Sequence, residues 1–123
     1  MDEQPARILI VDDEPAILFT MEVLLKRRGY VVTAAADGQQ ALDLLDQSAF
    51  DLLLLDLKMP GLSGVEIAER ARELQPAASI LILTGSSAIE GAPEELELGG
   101  FEYIIKTADT QEVLERIAEV LAR

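Results

Sequence analysis

Five polar residues follow directly on four apolar, strand-like runs, and their chemistry is complementary. Asp12 and Asp13 come after ILIV (8–11), Asp56 after LLLL (52–55), Thr84 after ILIL (80–83) and Lys106 after YII (103–105). Three carboxylates, a hydroxyl and an amine suit a divalent cation together with a phosphoryl group. Carboxylates crowded into one crevice repel, and a hard cation such as Mg²⁺ relieves that repulsion while accepting carboxylate, carbonyl and water oxygens. Asp56, at a strand tip with a loop of prolines and glycines beyond it, is expected to be exposed beside the metal. It is the candidate nucleophile toward phosphorus. The metal would neutralise charge on the transferring oxygens, Lys106 would add a second cation, and Thr84 a hydroxyl donor. A helix-capping role would account for one aspartate at 12–13, but poorly for two, and not for Asp56.

For these residues to meet, the runs must be neighbouring parallel strands. Apolar runs that alternate with amphipathic helix patterns predict a parallel sheet covered on both faces. In such sheets ligands bind outside the carboxyl ends of the strands. Helical spacing is clearest at 15–28 (Ile17, Leu18, Met21, Leu24, Leu25) and at 110–122 (Val113, Leu114, Ile117, Val120, Leu121). Pro15 fits a first helical turn, Gly29 a stop, and Thr110 or Asp109 a cap. Between them the pattern predicts strands at 31–34, 51–55 and 79–83 and helices at about 38–47 and 64–74. The order is β-α-β-α-β-α-β-α-β-α. The fourth helix is the weak element: Gly91 and Pro93 interrupt SSAIEGAPEELELGG, and an interior proline costs about 3 kcal/mol. A loop or frayed turn through about 86–92, then a short helix from Pro93 to Leu98, is expected. No linker or repeat divides the chain, which predicts one domain over 1–123.

Composition narrows the function further. The 123 residues are 50% hydrophobic, enough to form a core. A net charge of −13 argues against direct nucleic-acid binding by this chain, and against an anionic membrane surface. The basic cluster Lys26-Arg27-Arg28 falls where a helix should end, complementing its dipole. With no Cys and no His, disulfides, thiolate metal sites and imidazole chemistry are excluded. The amino terminus lacks the pattern of a signal peptide, and no apolar stretch approaches the ~20 residues of a membrane span. A cytoplasmic address is expected.

The stretches ILIVDDEP, DLLLLDLKMPGLSG, ILILTG and GGFEYIIK, in this order and spacing, resemble the receiver domain of bacterial response regulators along the whole chain. The resemblance implies a flavodoxin-like α/β fold, doubly wound, with a five-stranded parallel sheet of order 2-1-3-4-5. It implies that Asp56 accepts a phosphoryl group from a sensor histidine kinase or a histidine phosphotransfer protein, with Asp12, Asp13 and Asp56 around Mg²⁺. Thr84 and Lys106 would contact the phosphoryl oxygens. Tyr103 matches the aromatic that turns inward on activation as the threonine shifts, although a half-buried strand tyrosine also fits that position. A downstream output domain or protein would read the altered surface. Gly85 is small, leaving room for donor and phosphate, and Lys58 and Ser86 hold positions that influence phosphoaspartate hydrolysis in this family. Lys58 either screens the acyl phosphate or pairs with nearby acid. The chain departs from the family in having Thr107 where proline usually follows the lysine through a cis bond. A cis bond before threonine would cost roughly 3–4 kcal/mol, so a trans bond and a rerouted loop are expected. The interrupted fourth helix is the second departure, and it alters the surface with which many relatives pair or meet targets.

Two other readings compete. A Mg²⁺-dependent phosphohydrolase of the haloacid dehalogenase type also uses an aspartyl nucleophile, but needs a second aspartate two residues later, where this chain has Lys58. A receiver-shaped interaction module no longer gated by phosphate is favoured only by the missing proline and the broken helix. The preferred expectation is a phosphorylation-gated module that catalyses only its own phosphorylation and slow dephosphorylation. A stand-alone regulator, a phosphotransfer intermediate and the receiver of a longer protein all accord with these residues.

Overall fold

The computed structural model describes residues 4–56, 64–84, 102–105 and 110–122. The elements are β1 (Arg7–Val11), α1 (Pro15–Arg27), β2 (Val31–Ala35), α2 (Gly38–Gln47), β3 (Leu52–Asp56), α3 (Gly64–Leu74), β4 (Ser79–Thr84), β5 (Glu102–Ile105) and α4 (Thr110–Leu121). The strands run parallel in the order β2-β1-β3-β4-β5. The interrupted helix expected between 86 and 98, and the Lys106-Thr107 peptide, lie outside the described residues.

Side chains alternate across a strand, so each apolar run is shared between two layers. Leu9 and Val11 of β1, Leu53 and Leu55 of β3 and Ile82 of β4 pack with Ala41, Leu42 and Leu45 of α2 and Ile67, Ala68 and Ala71 of α3. The intervening residues, Ile8, Ile10, Leu52, Leu54, Leu81 and Leu83, pack with Met21 and Leu25 of α1 and Val113, Leu114, Ile117 and Val120 of α4. Continuous apolar strands are therefore required, because neither face of the sheet meets water. At about 25 cal/mol per Å² of apolar surface, this double burial is the main stabilising term. Leu52, Leu53, Leu54 and Leu55 are all 0% exposed.

Local signals set the element ends. Pro15 opens α1, and Gly29 closes it at φ +92°, a left-handed conformation that favours glycine. Lys26 and Arg27 occupy the last turn of α1 beside its carbonyls, and Lys26 pairs with Glu22 at 3.0 Å. Asp37 caps α2 by accepting from the Gln40 N–H at 2.7 Å, while Gln40 Oε1 accepts from the Ala36 N–H at 2.8 Å. Thr110 is the first residue of α4; its other expected cap, Asp109, lies outside the described residues.

Two strands extend one residue beyond their apolar runs. Asp56 is the last residue of β3, paired with Leu83, and Thr84 is the last residue of β4, paired with Ile105. Ladder hydrogen bonds are made by the backbone, so pairing continues past the change from apolar to polar side chains.

One tie across the opposite end of the sheet was not expected from the sequence. The Gln75 side chain accepts from the Phe50 N–H at 2.8 Å and donates to the carbonyls of Leu45 and Ser48. It joins the end of α3 to the connection between α2 and β3.

Candidate functional site

The strand order reverses at β1, which pairs with β2 on one side and β3 on the other. Chains leaving β1 and β3 turn toward opposite layers, opening a crevice at their carboxyl ends. In the β1–β3 ladder Val11 lies opposite Leu55, so the next residues, Asp12 and Asp56, leave the sheet side by side. The Asp12 N–H still donates to the Ala35 carbonyl at 3.2 Å, which holds this end of β1 against β2. Asp12 and Asp56 are each 1% exposed, the only buried acidic residues among those described.

Burial of Asp56 corrects the expectation of an exposed strand tip. β3 is an interior strand flanked by β1 and β4, and Asp56 is still part of its ladder. Its carboxylate is therefore enclosed at the base of the crevice. Asp13 and Glu14 are exposed at the rim. One carboxylate oxygen from each of Asp12, Asp13, Glu14 and Asp56 falls within 4.8 Å of the others. The Glu14 N–H donates to Asp12 Oδ1 at 3.0 Å, orienting that carboxylate.

The expected metal ligands Asp12, Asp13 and Asp56 are thus brought together. Glu14, which is outside the expected ligand set, joins them. The available signal was its place in an unbroken Asp-Asp-Glu run at a strand end. An oxygen-only donor set of several carboxylates suits a hard cation such as Mg²⁺, which takes one or two carboxylates and retains waters. With no Cys and no His, the chain offers neither thiolate nor imidazole ligands.

The remaining expected residues are positioned by backbone or lie outside the described residues. Thr84 ends β4, one residue beyond the partner of Asp56, and pairs with Ile105. Tyr103 is in β5 opposite Ile82; the side chains of Thr84 and Tyr103 are outside what is described. Lys58, Gly85, Ser86 and Lys106 also lie outside the described residues.

A parallel sheet with an acidic crevice at its switch point is a frame shared by many proteins. The sequence over residues 8–118 matches the family model for the response regulator receiver domain. The chain belongs to that family. This receiver domain is 33% identical over 115 residues to the sporulation initiation phosphotransferase F of Bacillus subtilis, covering 94% of this chain and 93% of the relative. It is 32% identical over 122 residues to the probable transcriptional regulatory protein TcrX of Mycobacterium tuberculosis, covering 99% of this chain. The receiver domain spans only 52% of the length of TcrX. Among solved structures it resembles the response regulator TrrA of Thermotoga maritima in complex with Mg²⁺-BeF. The TM-score is 0.81 at 34% identity, over 94% of this chain and 98% of that one. Family membership carries the flavodoxin-like architecture with it, and the acidic cluster lies at the carboxyl edge of that architecture. No described helix is long and apolar enough to cross a membrane.

Proposed function

We propose that this receiver domain accepts a phosphoryl group on Asp56 from a phosphohistidine of a sensor kinase or histidine phosphotransfer protein. The observation that carries the reading is the pairing of Val11 with Leu55, which sets buried Asp12 and Asp56 side by side in a four-carboxylate cluster. A carboxylate oxygen of Asp56 attacks phosphorus while the bond from phosphorus to the donor imidazole nitrogen breaks. The nitrogen keeps the electron pair and is protonated by solvent.

Asp12, Asp13 and Asp56 are the residues that would hold Mg²⁺. Bound there, the ion supplies the positive charge that the phosphoryl oxygens need in the crevice. Asp12, oriented by the Glu14 N–H, keeps its carboxylate directed at the cluster. Thr84 and Lys106 contact the phosphoryl oxygens, a role supported by the β4–β5 register, in which Thr84 faces Ile105 and Lys106 follows. Lys58, Gly85 and Ser86 tune access of donor and water.

Phosphorylation adds roughly two negative charges and new acceptor oxygens. Contacts available in only one arrangement of Thr84 and Tyr103 shift the population toward it, and an output domain or partner reads the change. The module is not a turnover enzyme. It catalyses its own phosphorylation and slow dephosphorylation, in the cytoplasm.

The test is incubation with Mg²⁺ and a small acyl-phosphate donor, followed by intact mass spectrometry beside Asp56→Asn. The expected result is gain of one phosphoryl group, lost in the variant and with chelator. No adduct would overturn the reading, and steady phosphate release without an adduct would instead indicate a phosphohydrolase.

A further inference from the structure

Glu14 stands at the N-cap of α1 with extended backbone angles (φ −94°, ψ 111°), yet its side chain makes no capping hydrogen bond to the helix. Pro15, which has no N–H, follows it, so the first turn offers one donor fewer. The carboxylate lies instead in the acidic cluster, with an oxygen within 4.8 Å of oxygens from Asp12, Asp13 and Asp56. Its backbone N–H is bonded to Asp12 Oδ1 at 3.0 Å. The residue therefore meets the crevice twice, through its amide and through its charge.

We infer that Glu14 is a fourth acidic determinant of the cation site, setting how tightly the receiver holds its divalent ion. The inference rests on the proposed Mg²⁺ site and extends it to a residue outside the expected Asp12, Asp13 and Asp56 set. A unit charge about 5 Å from a divalent ion changes its affinity by on the order of tenfold in a largely aqueous setting. Because Glu14 is exposed, its contribution is screened by salt, unlike that of buried Asp12 and Asp56. The same charge acts against an approaching anionic phosphoryl donor until a cation is present. Glu14 thereby makes cation loading a stricter precondition for phosphoryl transfer.

The test is calorimetric titration of the full chain with Mg²⁺, and separately with Mn²⁺, at low and high ionic strength. Wild type is compared with Glu14→Gln, Glu14→Asp and Asp13→Asn. Glu14→Gln keeps the backbone N–H to Asp12 and the side-chain size while removing only the charge. Its expected effect is a weakening of cation binding by several-fold to about tenfold at low salt, shrinking toward wild type at high salt, with Glu14→Asp in between. A merely structural role would shift the cation-free melting temperature without this salt dependence. Equal affinities for wild type and Glu14→Gln at low salt, with Asp13→Asn weakened, would overturn the inference and leave the Mg²⁺ site standing. No cation binding by wild type would overturn both.

Discussion

Asp12 and Asp56 lie side by side because Val11 and Leu55 are partners in a parallel ladder, and both aspartates are 1% exposed. Two carboxylates are thus held at the end of a dry sheet by strand register. The surrounding apolar layers make that register costly to change, since a one-residue slip of β1 or β3 would turn every buried side chain to the other layer.

A cation that binds only the folded receiver must stabilise it. At a concentration about 100 times its dissociation constant, the gain is about 2.7 kcal/mol. For a chain of this size that corresponds to a rise of several degrees in melting temperature. Thermal denaturation followed by circular dichroism, with and without Mg²⁺, should show this rise in wild type. Asp12→Asn and Asp13→Asn should each reduce it. An equal rise in Asp12→Asn would place the ion elsewhere.

Gln75 satisfies three backbone groups at once: the Phe50 N–H and the carbonyls of Leu45 and Ser48. Gln75→Leu is similar in size but can make none of these bonds. Part-buried groups left without a partner cost about 1–3 kcal/mol each, reduced where water can reach them, so a loss of about 2–4 kcal/mol is expected. Urea denaturation measures it. Mg²⁺ affinity should stay unchanged, because this tie is at the end of the sheet remote from Asp56. A loss under 0.5 kcal/mol, on the order of an ordinary surface change, would show that water replaces the glutamine freely.

Leu54 and Phe19 provide a matched contrast. Leu54 is 0% exposed in the layer shared with α1 and α4, whereas Phe19 is 68% exposed on α1. Leu54→Ala should cost about 2–5 kcal/mol through lost burial and the cavity left behind. Phe19→Ala should remain within about 0.5 kcal/mol of wild type. The same urea experiment reads both. A large loss from Phe19→Ala would mean that its ring is covered in solution.

Much of this molecule follows from local pattern. The apolar runs, Pro15, Gly29 and the helical spacing of Met21 with Leu25 and of Val113 with Ile117 are enough to predict α1, α2, α3, α4 and the strands to within a residue or two at their ends. These signals are local because backbone hydrogen bonding and side-chain periodicity act over a few residues. Asp12, Asp13 and Asp56 were legible as a set for a related reason: parallel strands must end at one edge, so polar residues after several apolar runs are gathered there.

Contacts between distant segments decided the rest. The position of Asp56 after four leucines suggested an exposed tip, but β1 and β4 flank it and enclose the carboxylate. Glu14 was not among the expected ligands, and only the turn out of β1 brings its carboxylate to the three aspartates. Gln75 carries no signal in a sequence, because its three partners lie 25 to 30 residues away, at the end of another helix and in the connection that follows it. Sequence by itself determined which residues could hold a cation and accept a phosphoryl group, together with the alternating elements that carry them. Tertiary structure decided which carboxylates meet and which are buried, because burial and long-range hydrogen bonds depend on strand order and register rather than on any one segment.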